Sequence, residues 1–223
     1  MKPDFSHFFI LAGERKEAMS ILKKSSILIL SILVLDQGLK IWVKTHMILG
    51  QEHRLIGDWF VIHFTENNGM AFGMELWGPT GKIILTIFRI LAVIGIILYM
   101  RKSIHSKAPA GYILCLAAIT GGALGNIIDS TFYGVIFDES YFNVATFFPH
   151  EGGYSSLFKG RVVDMFYFPV FTGHYPEWFP FWANQQYIFF RPVFNIADIA
   201  ITTGVLTILV FQRRFFHPSN HST

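Results

Sequence analysis

The sequence predicts an all-α membrane bundle with four transmembrane helices, a small extracytoplasmic β-sheet cradle and an aromatic-rich interfacial loop. Of the 223 residues, 52% are hydrophobic and only 15% are charged, and the mean hydropathy is +0.43. This composition is too apolar for an ordinary soluble domain. The apolar residues also concentrate in runs close to the length of about 20 residues that crosses a bilayer. Four such runs cover residues 25–43, 83–100, 110–128 and 193–211.

Residue usage excludes several classes of site. Cys115 is the single cysteine and lies inside an apolar run, so neither an internal disulfide nor a cysteine-based metal site can form. The histidines at 46, 53 and 63 lack the His-Glu-x-x-His spacing of zinc peptidases. The sequence has no glycine-rich phosphate loop, and its lysines and arginines form no stripe that would indicate a nucleic-acid partner.

The first apolar run follows a mixed segment, 1–24, whose apolar patch is too short to span a bilayer. We interpret 1–24 as a cytoplasmic extension and 25–43 as the first span. This span carries Asp36 and Lys40, which are four residues apart and therefore share a helix face. We expect them to pair, because two opposite charges buried together are tolerable where either alone is not.

Residues 44–81 form a polar loop that we predict to lie outside the membrane as a small sheet. A strand is indicated at 59–65 by its β-forming residues. The pair Asn68-Gly69 is a strong turn signal, because both residues tolerate positive φ. The second span, 83–100, is interrupted only by Arg89.

The third span contains small residues at helical spacing, Gly121, Gly122 and Gly125, which let helix backbones approach closely. Asn126 and Asp129 share a face at its end. The connection that follows, within the outer loop 129–192, is rich in Phe, Tyr, Trp and Pro. Such rings suit the headgroup region, so we expect an interfacial anchor that also partly covers the active site as a lid.

Asp198 lies near the start of the helix predicted in the fourth run, and Asn195 lies one turn earlier on the same face. A carboxylate at the edge of a bilayer is a functional candidate. The purely structural alternative is that Asp198 only caps its helix. A second acid, Asp164, lies in a short apolar run before it and is expected to be partly buried. Taken alone, Asp164 could be an ordinary loop residue.

Orientation follows from basic flanks that contain no acid, at 23–24, 101–107 and 213–214. With four spans these flanks fall on one side, which the positive-inside rule makes cytoplasmic together with both termini and the tail 215–223. The domain between them, 25–214, then carries its acids at the outer end. Those acids are Asp36, Asp129, Asp164 and Asp198.

Acids clustered at one end permit peptide hydrolysis. Two carboxyl groups held close share a proton, so that one activates water while the other polarises the scissile carbonyl. The alternative is a small ion- or solute-translocating protein whose acids relay ions, but a relay needs acids through the depth of the bilayer. A third reading is a non-catalytic assembly factor that binds lipidated partners.

Five ordered motifs carry a resemblance that runs from about residue 24 to residue 214. On them the sequence resembles the lipoprotein signal peptidases, also called signal peptidase II. Each motif alone is weak, but all five in order are highly specific. They are Asp36-Gln37-Gly38-Leu39-Lys40, Asn67-Asn68-Gly69-Met70-Ala71-Phe72-Gly73, Gly121-Gly122-Ala123-Leu124-Gly125-Asn126-Ile127-Ile128-Asp129, Gly160-Arg161-Val162-Val163-Asp164 and Phe194-Asn195-Ile196-Ala197-Asp198.

The resemblance implies an aspartyl endopeptidase of the bacterial inner membrane that needs no metal or cofactor. Its substrates would be prolipoproteins with a diacylglyceryl-modified cysteine, cut just before that cysteine, and globomycin would block it. Asp164 and Asp198 match the catalytic pair. We expect a monomer, embedded in membrane lipids. The residues that match site-shaping positions are Asp36, Lys40, Asn67, Gly69, Asn126, Asp129 and Asn195.

Two features depart from the family pattern. Ser130 stands where the family usually has an arginine, so either Arg161 supplies the cation or the local structure differs. The connection 131–159 is unusually long and contains a partial copy of the fourth motif that ends in Asp138. Asp138 is therefore an alternative first catalytic acid, and the match of Val162-Val163-Asp164 favours Asp164.

Overall fold

The computed structural model describes residues 6–68, 78–169, 171–189 and 192–216. A π-helical turn, Asp129–Tyr133, joins the third helix to the fourth. The helices are α1 (Ser6–His46), α2 (Gly78–His105), α3 (Ala110–Ile128), α4 (Gly134–Ile136), α5 (Ile196–Val210) and α6 (Gln212–Phe216). The strands are β1 (Glu52–Ile56), β2 (Phe60–Asn67), β3 (Val162–Tyr167), β4 (Phe171–His174), β5 (Gln186–Phe189) and β6 (Val193–Phe194).

Three stretches of helix in the described part of the chain are long and apolar enough to cross a membrane: Arg15–His46, Thr80–His105 and Ala110–Ile136. The prediction of a mostly helical membrane protein is therefore confirmed. α5 is equally apolar in character but has 15 residues. At 1.5 Å per residue it is about 22 Å long, less than the thickness of about 30 Å of a hydrocarbon core.

α1 begins well before the predicted start of the first span and has 41 residues. Its polar stretch around Arg15–Lys16–Glu17 stays helical because arginine, lysine and glutamate are good helix formers. Residues 6–24 are therefore continuous with the apolar part of the same helix. That they form a cytoplasmic extension stays a prediction.

The main sheet is antiparallel, with strand order β1-β2-β3-β6. β2 confirms the strand predicted at 59–65, and β3 carries Asp164. In the β2–β3 pairing Thr65 lies opposite Asp164, and Asn67 lies opposite Val162. A separate hairpin, β4–β5, forms within the aromatic connection. A sheet that includes residues of the loop 44–81 is thus confirmed. The long connection contributes β3, whereas β6 lies at the start of the predicted fourth apolar run.

The chain divides into two compact units. The first comprises Met1–Gln37, Thr86–Ile127 and Ile196–Thr223, and the second comprises Gly38–Leu85 and Ile128–Asn195. The first unit has a helical core of Met100, Ile104, Tyr112, Ile113, Leu116 and Ala117. The second unit packs the sheet on the last turns of α1, with a core that includes Val43, Met47, Phe64, Tyr133, Phe137, Val163 and Met165.

In the first unit, α3 approaches α5 and α1 through its glycines. A Cβ added at Gly122 would overlap the carbonyl oxygen of Ala197, and one at Gly125 would lie 2.5 Å from Asp36 Oδ2. Gly121 would place a Cβ 3.3 Å from the backbone of Ile29. The predicted role of these small residues in close helix packing is confirmed.

We expect Gly122→Ala to lower the thermal unfolding midpoint, because the new methyl group must push apart two backbones. Overpacking of this kind costs about 1–3 kcal/mol. The matched control is Gly95→Ala in α2, where an added Cβ meets nothing within 4 Å and the gain in helix propensity is favourable. The midpoints are measured in detergent by tryptophan fluorescence. An equal midpoint for both variants would contradict the close packing of α3 on α5.

Candidate active site

Asp164, in the second unit, is held at both carboxyl oxygens by asparagine amides. Its Oδ1 accepts a hydrogen bond from Asn195 Nδ2 at 2.7 Å, and its Oδ2 accepts one from Asn67 Nδ2 at 3.3 Å. Asn195 Nδ2 also donates to the carbonyl oxygen of Val163 at 3.3 Å. Asp164 is 3% exposed. The last residue of β2 and the residue after β6 therefore fix the plane of one buried carboxyl group on β3.

A buried ion pair supports the strand that carries Asp164. Lys40 Nζ lies 2.8 Å from Asp129 Oδ2, and both side chains are fully buried. The same Asp129 oxygen accepts a hydrogen bond from the backbone N–H of Val163 at 3.2 Å. Asp129 opens the π-helical turn, a geometry that is frequent at functional sites. Because Val163 precedes Asp164, this contact fixes the backbone at the candidate acid.

Asp198, in the first unit, is the third residue of α5 and is half-buried. Its Oδ1 accepts a hydrogen bond from Asn126 Nδ2 at 3.0 Å. The backbone N–H of Ala197 donates to Asp36 Oδ1 at 2.9 Å, so a side chain from α1 satisfies one of the open donors in the first turn of α5. The carboxyl group of Asp198 is thus set by α3, and the turn that carries it is set by α1.

Gln37 links α1 to α3 by hydrogen bonds. Its Nε2 donates to Asp36 Oδ2 at 3.2 Å and to the carbonyl oxygen of Gly125 at 3.2 Å. A carboxylate buried on α1 therefore has donors from two directions. The contact of Asp36 with the backbone N–H of Ala197 favours a positioning role for this carboxylate.

Most predicted site residues thus appear in four groups, two in each unit. The second unit contains Asp164 with Asn67 and Asn195, and Lys40 with Asp129, while the first contains Asp198 with Asn126, and Asp36 on the backbone of α5. Gly69 lies outside the described residues. The predicted Asp36–Lys40 pair stays a prediction. Among the described residues, no cluster of three or more His, Cys, Asp or Glu side chains could hold a metal ion.

Sequence reasoning missed an ion network beside Asn67. Glu66 pairs with the fully buried Lys44 and, at 3.0 Å, with Arg161 Nη1. Arg161 also binds Glu139 through both Nη1, at 2.8 Å, and Nη2, at 3.1 Å. One signal was available, because Lys44 follows Lys40 by four residues on the same helix face. Three successive turns of α1 therefore place Asp36, Lys40 and Lys44 on one side.

Aromatic rings enclose this network. The Arg161 guanidinium lies 4.8 Å from the centre of the Tyr154 ring and 5.4 Å from that of Tyr141. Burial alone would lower the pKa of Arg161, but the hydrogen bonds and charges of Glu139 and Glu66 outweigh it and raise that pKa. Burial raises the pKa of the Tyr154 phenol. Arg161 therefore stays charged throughout the working pH range.

The two departures from the family pattern now have structural descriptions. Ser130 is buried, and its carbonyl oxygen accepts a hydrogen bond from Gly160 N at 2.9 Å. The Arg161 guanidinium pairs with Glu66, which is the residue before Asn67 in the sequence. Asp138 lies in the loop after α4 and accepts a hydrogen bond from Thr146 N at 2.6 Å. It holds a loop together, which favours Asp164 over Asp138.

The long loop that contains Asp138 is anchored on α1. Lys44 Nζ donates to Ser140 Oγ at 2.9 Å, and Leu49 N donates to the Ser140 carbonyl oxygen at 2.9 Å. Two residues further on, Phe142 is 94% exposed. A fixed base with an exposed aromatic tip is compatible with the lid function, which stays a prediction.

We expect Arg161→Met to destabilise the protein by about 2 kcal/mol, because it removes the guanidinium that binds Glu139 and one of the two cations that bind Glu66. The matched control is Arg54→Met, which breaks the Arg54–Asp58 pair, whose side chains are 71% and 84% exposed. Exposed pairs contribute at most about 1 kcal/mol. Denaturant midpoints compare the two variants. A larger loss for Arg54→Met would contradict the proposed weight of the Arg161 network.

Comparison with known proteins places the chain in a family. The model for "Signal peptidase (SPase) II" matches residues 28–214. The chain belongs to the signal peptidase II family. This confirms the resemblance carried by the five motifs, and it makes the chain a membrane aspartic peptidase.

Individual members of the signal peptidase II family are also similar to this chain. A lipoprotein signal peptidase of Porphyromonas gingivalis (strain ATCC 33277) is 50% identical over 192 residues, which cover 84% of this chain and 81% of that one. The lipoprotein signal peptidase of Amoebophilus asiaticus (strain 5a2) is 38% identical over 183 residues, covering 81% and 73%.

A solved structure supports the fold. A bacterial membrane enzyme determined by the in meso method at 1.9 Å resolution has a TM-score of 0.57 and 23% identity, covering 85% of this chain and 92% of that one. A second such enzyme, at 2.3 Å resolution, has a TM-score of 0.56 and 20% identity.

Proposed function

We propose that this signal peptidase II removes signal peptides from diacylglyceryl-modified prolipoproteins by cleavage just before the lipidated cysteine. Asp164 and Asp198 supply the two catalytic carboxyl groups. The observation that carries the proposal is the fixing of Asp164: a buried acid on a strand, with an asparagine amide on each oxygen. Asn126 gives Asp198 an equivalent partner on α3.

In the proposed reaction the two carboxyl groups share one proton. The ionised carboxylate takes a proton from water as the water oxygen attacks the scissile carbonyl carbon. The protonated carboxyl group donates its proton to the carbonyl oxygen, which gives a gem-diol. This group, now a carboxylate, then takes a proton from one gem-diol hydroxyl as the C–N bond breaks, while the other carboxyl group donates the proton gained from water to the leaving amine nitrogen. Asn67, Asn126 and Asn195 hold the carboxyl planes, and Lys40, Asp129 and Asp36 hold the backbones that carry them.

The proposed topology has four spans, with α5 and α6 making the fourth. Basic residues flank the ends near 23–24, 101–107 and 213–214, and the positive-inside rule makes that side cytoplasmic. The sheet and the acids then face the outside of a bacterial inner membrane. The acyl chains of the substrate lie between helices, so that the peptide bond stays at the surface where water is available.

The hairpin tip between β4 and β5 fits the outer headgroup region in this topology. Trp178 and Phe181 are 78% and 79% exposed, and Tyr175 stacks on Phe179 with ring centres 5.0 Å apart. Amphipathic rings prefer the interface. We propose that this tip anchors the hairpin at the outer membrane surface. The enzyme acts as a monomer, and globomycin-type inhibitors bind its active site.

The test is a gel-shift cleavage assay in lipid nanodiscs with two forms of one precursor, with and without the diacylglyceryl group on its cysteine. We expect cleavage of the lipidated form alone, a product whose new N-terminus is the modified cysteine by mass spectrometry, and inhibition by globomycin. Absence of product from the lipidated precursor would refute the activity. Equal cleavage of both forms would refute the substrate assignment.

A further inference from the structure

A cavity of about 450 Å³ lies in the first unit, away from the acids. Its volume falls within the range of about 300–1,000 Å³ that is typical of ligand pockets. The pocket is formed by one face of α1, the end of α2 with the turn after it, and the first turn of α3. Its lining residues are Glu17, Ala18, Ser20, Ile21, Lys24, Ile104, Lys107, Ala108, Pro109, Ala110 and Ile113.

The pocket and Asp198 are at opposite ends of the helices. Ala110 begins α3, whereas Asn126, which binds Asp198, lies sixteen residues further along the same helix. At 1.5 Å per residue this separation is about 24 Å. The pocket is therefore not part of the site assigned to peptide cleavage.

The walls of the pocket combine an apolar side with charged rims. Ile104 and Ile113 belong to the helical core of the first unit, and Ile21 packs against it. Lys24 and Glu17 are exposed side chains of α1, and neither forms an ion pair within the residues that the structure describes. They are seven residues apart, so they share a face but are separated by about 10 Å along the axis.

The pocket also lies where the apolar helix surfaces give way to polar residues. Lys24 directly precedes the apolar run of α1, and Ala110 opens that of α3. Lys23, Arg101, Lys102 and Lys107 add positive charge around it. This is the depth of phospholipid headgroups. Basic pockets between transmembrane helices at this level bind the phosphate groups of anionic lipids, which makes a phosphate the first group to place here.

We propose that this pocket binds a phospholipid whose headgroup carries both a phosphodiester and a primary ammonium, of the phosphatidylethanolamine class. Lys24 binds the phosphate as a cationic donor, and Lys107 strengthens the local positive potential. The Glu17 carboxylate accepts hydrogen bonds from the ammonium group. The upper acyl chain lies on Ile21, Ile104 and Ile113. A headgroup with the same phosphodiester but no ammonium lacks the charge-assisted hydrogen bonds to Glu17, and this difference favours the phosphatidylethanolamine class.

Native mass spectrometry of the full chain in detergent tests the proposal, with phosphatidylethanolamine, phosphatidylglycerol and phosphatidylcholine of identical acyl chains. We expect wild-type protein to retain phosphatidylethanolamine about tenfold more strongly than phosphatidylcholine, which corresponds to about 1.4 kcal/mol. Glu17→Gln should remove this preference, whereas Lys24→Gln should weaken retention of all three lipids. Lys16→Gln and Lys23→Gln, which change neighbouring residues outside the pocket lining, are the matched controls.

Three outcomes would overturn the proposal. They are retention of phosphatidylglycerol at least equal to that of phosphatidylethanolamine, an unchanged preference in Glu17→Gln, and an equal effect of Lys23→Gln and Lys24→Gln. The readout is bound lipid, so it is independent of the peptidase assignment. The thermal unfolding midpoints of Glu17→Gln and Lys24→Gln in detergent should match that of the wild type, which shows that these variants are folded.

Discussion

Asp164→Asn and Asp198→Asn should each lower kcat for prolipoprotein cleavage by about 10³-fold or more, the upper part of the range for loss of a general acid or base. Asparagine has nearly the shape of aspartate but cannot take up or release the proton. Asp164→Asn keeps the side-chain volume between Asn67 and Asn195, and Asp198→Asn keeps it beside Asn126. The loss should therefore appear in the chemical step.

Single-turnover cleavage of the lipidated precursor measures this step, and thermal midpoints report folding. Asp138→Asn is the matched control, because Asp138 ends the partial copy of the fourth motif but binds only the loop at Thr146 in the described structure. We expect it to retain near wild-type kcat. Retained cleavage in Asp164→Asn together with loss in Asp138→Asn would transfer the catalytic assignment to the loop acid.

Lys40→Met should destabilise the protein by about 3–5 kcal/mol, the usual cost of removing one partner from a buried ion pair. The variant leaves the Asp129 carboxylate at 0% exposure without its cation at 2.8 Å. Because Asp129 also accepts the hydrogen bond from Val163 N, the strand before Asp164 loses support and kcat should fall as well. Unfolding in denaturant and cleavage assays measure the two effects.

A double variant tests whether the unpaired charge of Asp129, and not the loss of the Lys40 side chain itself, causes the instability. In Lys40→Met with Asp129→Asn the buried site is neutral, and the asparagine oxygen still accepts the Val163 N–H. We expect this double variant to recover most of the lost stability, because two uncharged partners avoid the unpaired charge. Lys16→Met, at an exposed position of α1, should change the midpoint little. Equal instability in the single and double variants would contradict a buried charge as the cause.

Local patterns in the sequence were sufficient to predict the positions of the helices and of the first predicted strand. Hydropathy located the apolar runs, because each helix must present side chains that match the bilayer. The β-forming residues at 59–65 located β2. The motif at Phe194–Asp198 located the start of α5, where Asp198 does fall in the first turn.

Contacts between residues far apart in the sequence could not be predicted from local patterns. Helical spacing within α1 gave no indication that Lys40 also pairs with Asp129, which lies in another helical segment. The hairpin β4–β5 was not foreseen, because its aromatic residues suit an interfacial loop as well as a strand. The base of the 131–159 loop depends on Arg161 and Tyr154, whose backbone N–H and phenol oxygen are joined at 2.6 Å. No short-range pattern reveals such a contact.

The open edge of the main sheet has a consequence for how copies of the protein behave at high concentration. β1 is the terminal strand and is exposed along its whole length. It carries Glu52, His53 and Arg54, and its register with β2 shifts between Arg54 and Ile56. Charges and irregular register discourage intermolecular strand addition. Aggregation by strand pairing at β1 is therefore disfavoured in concentrated preparations.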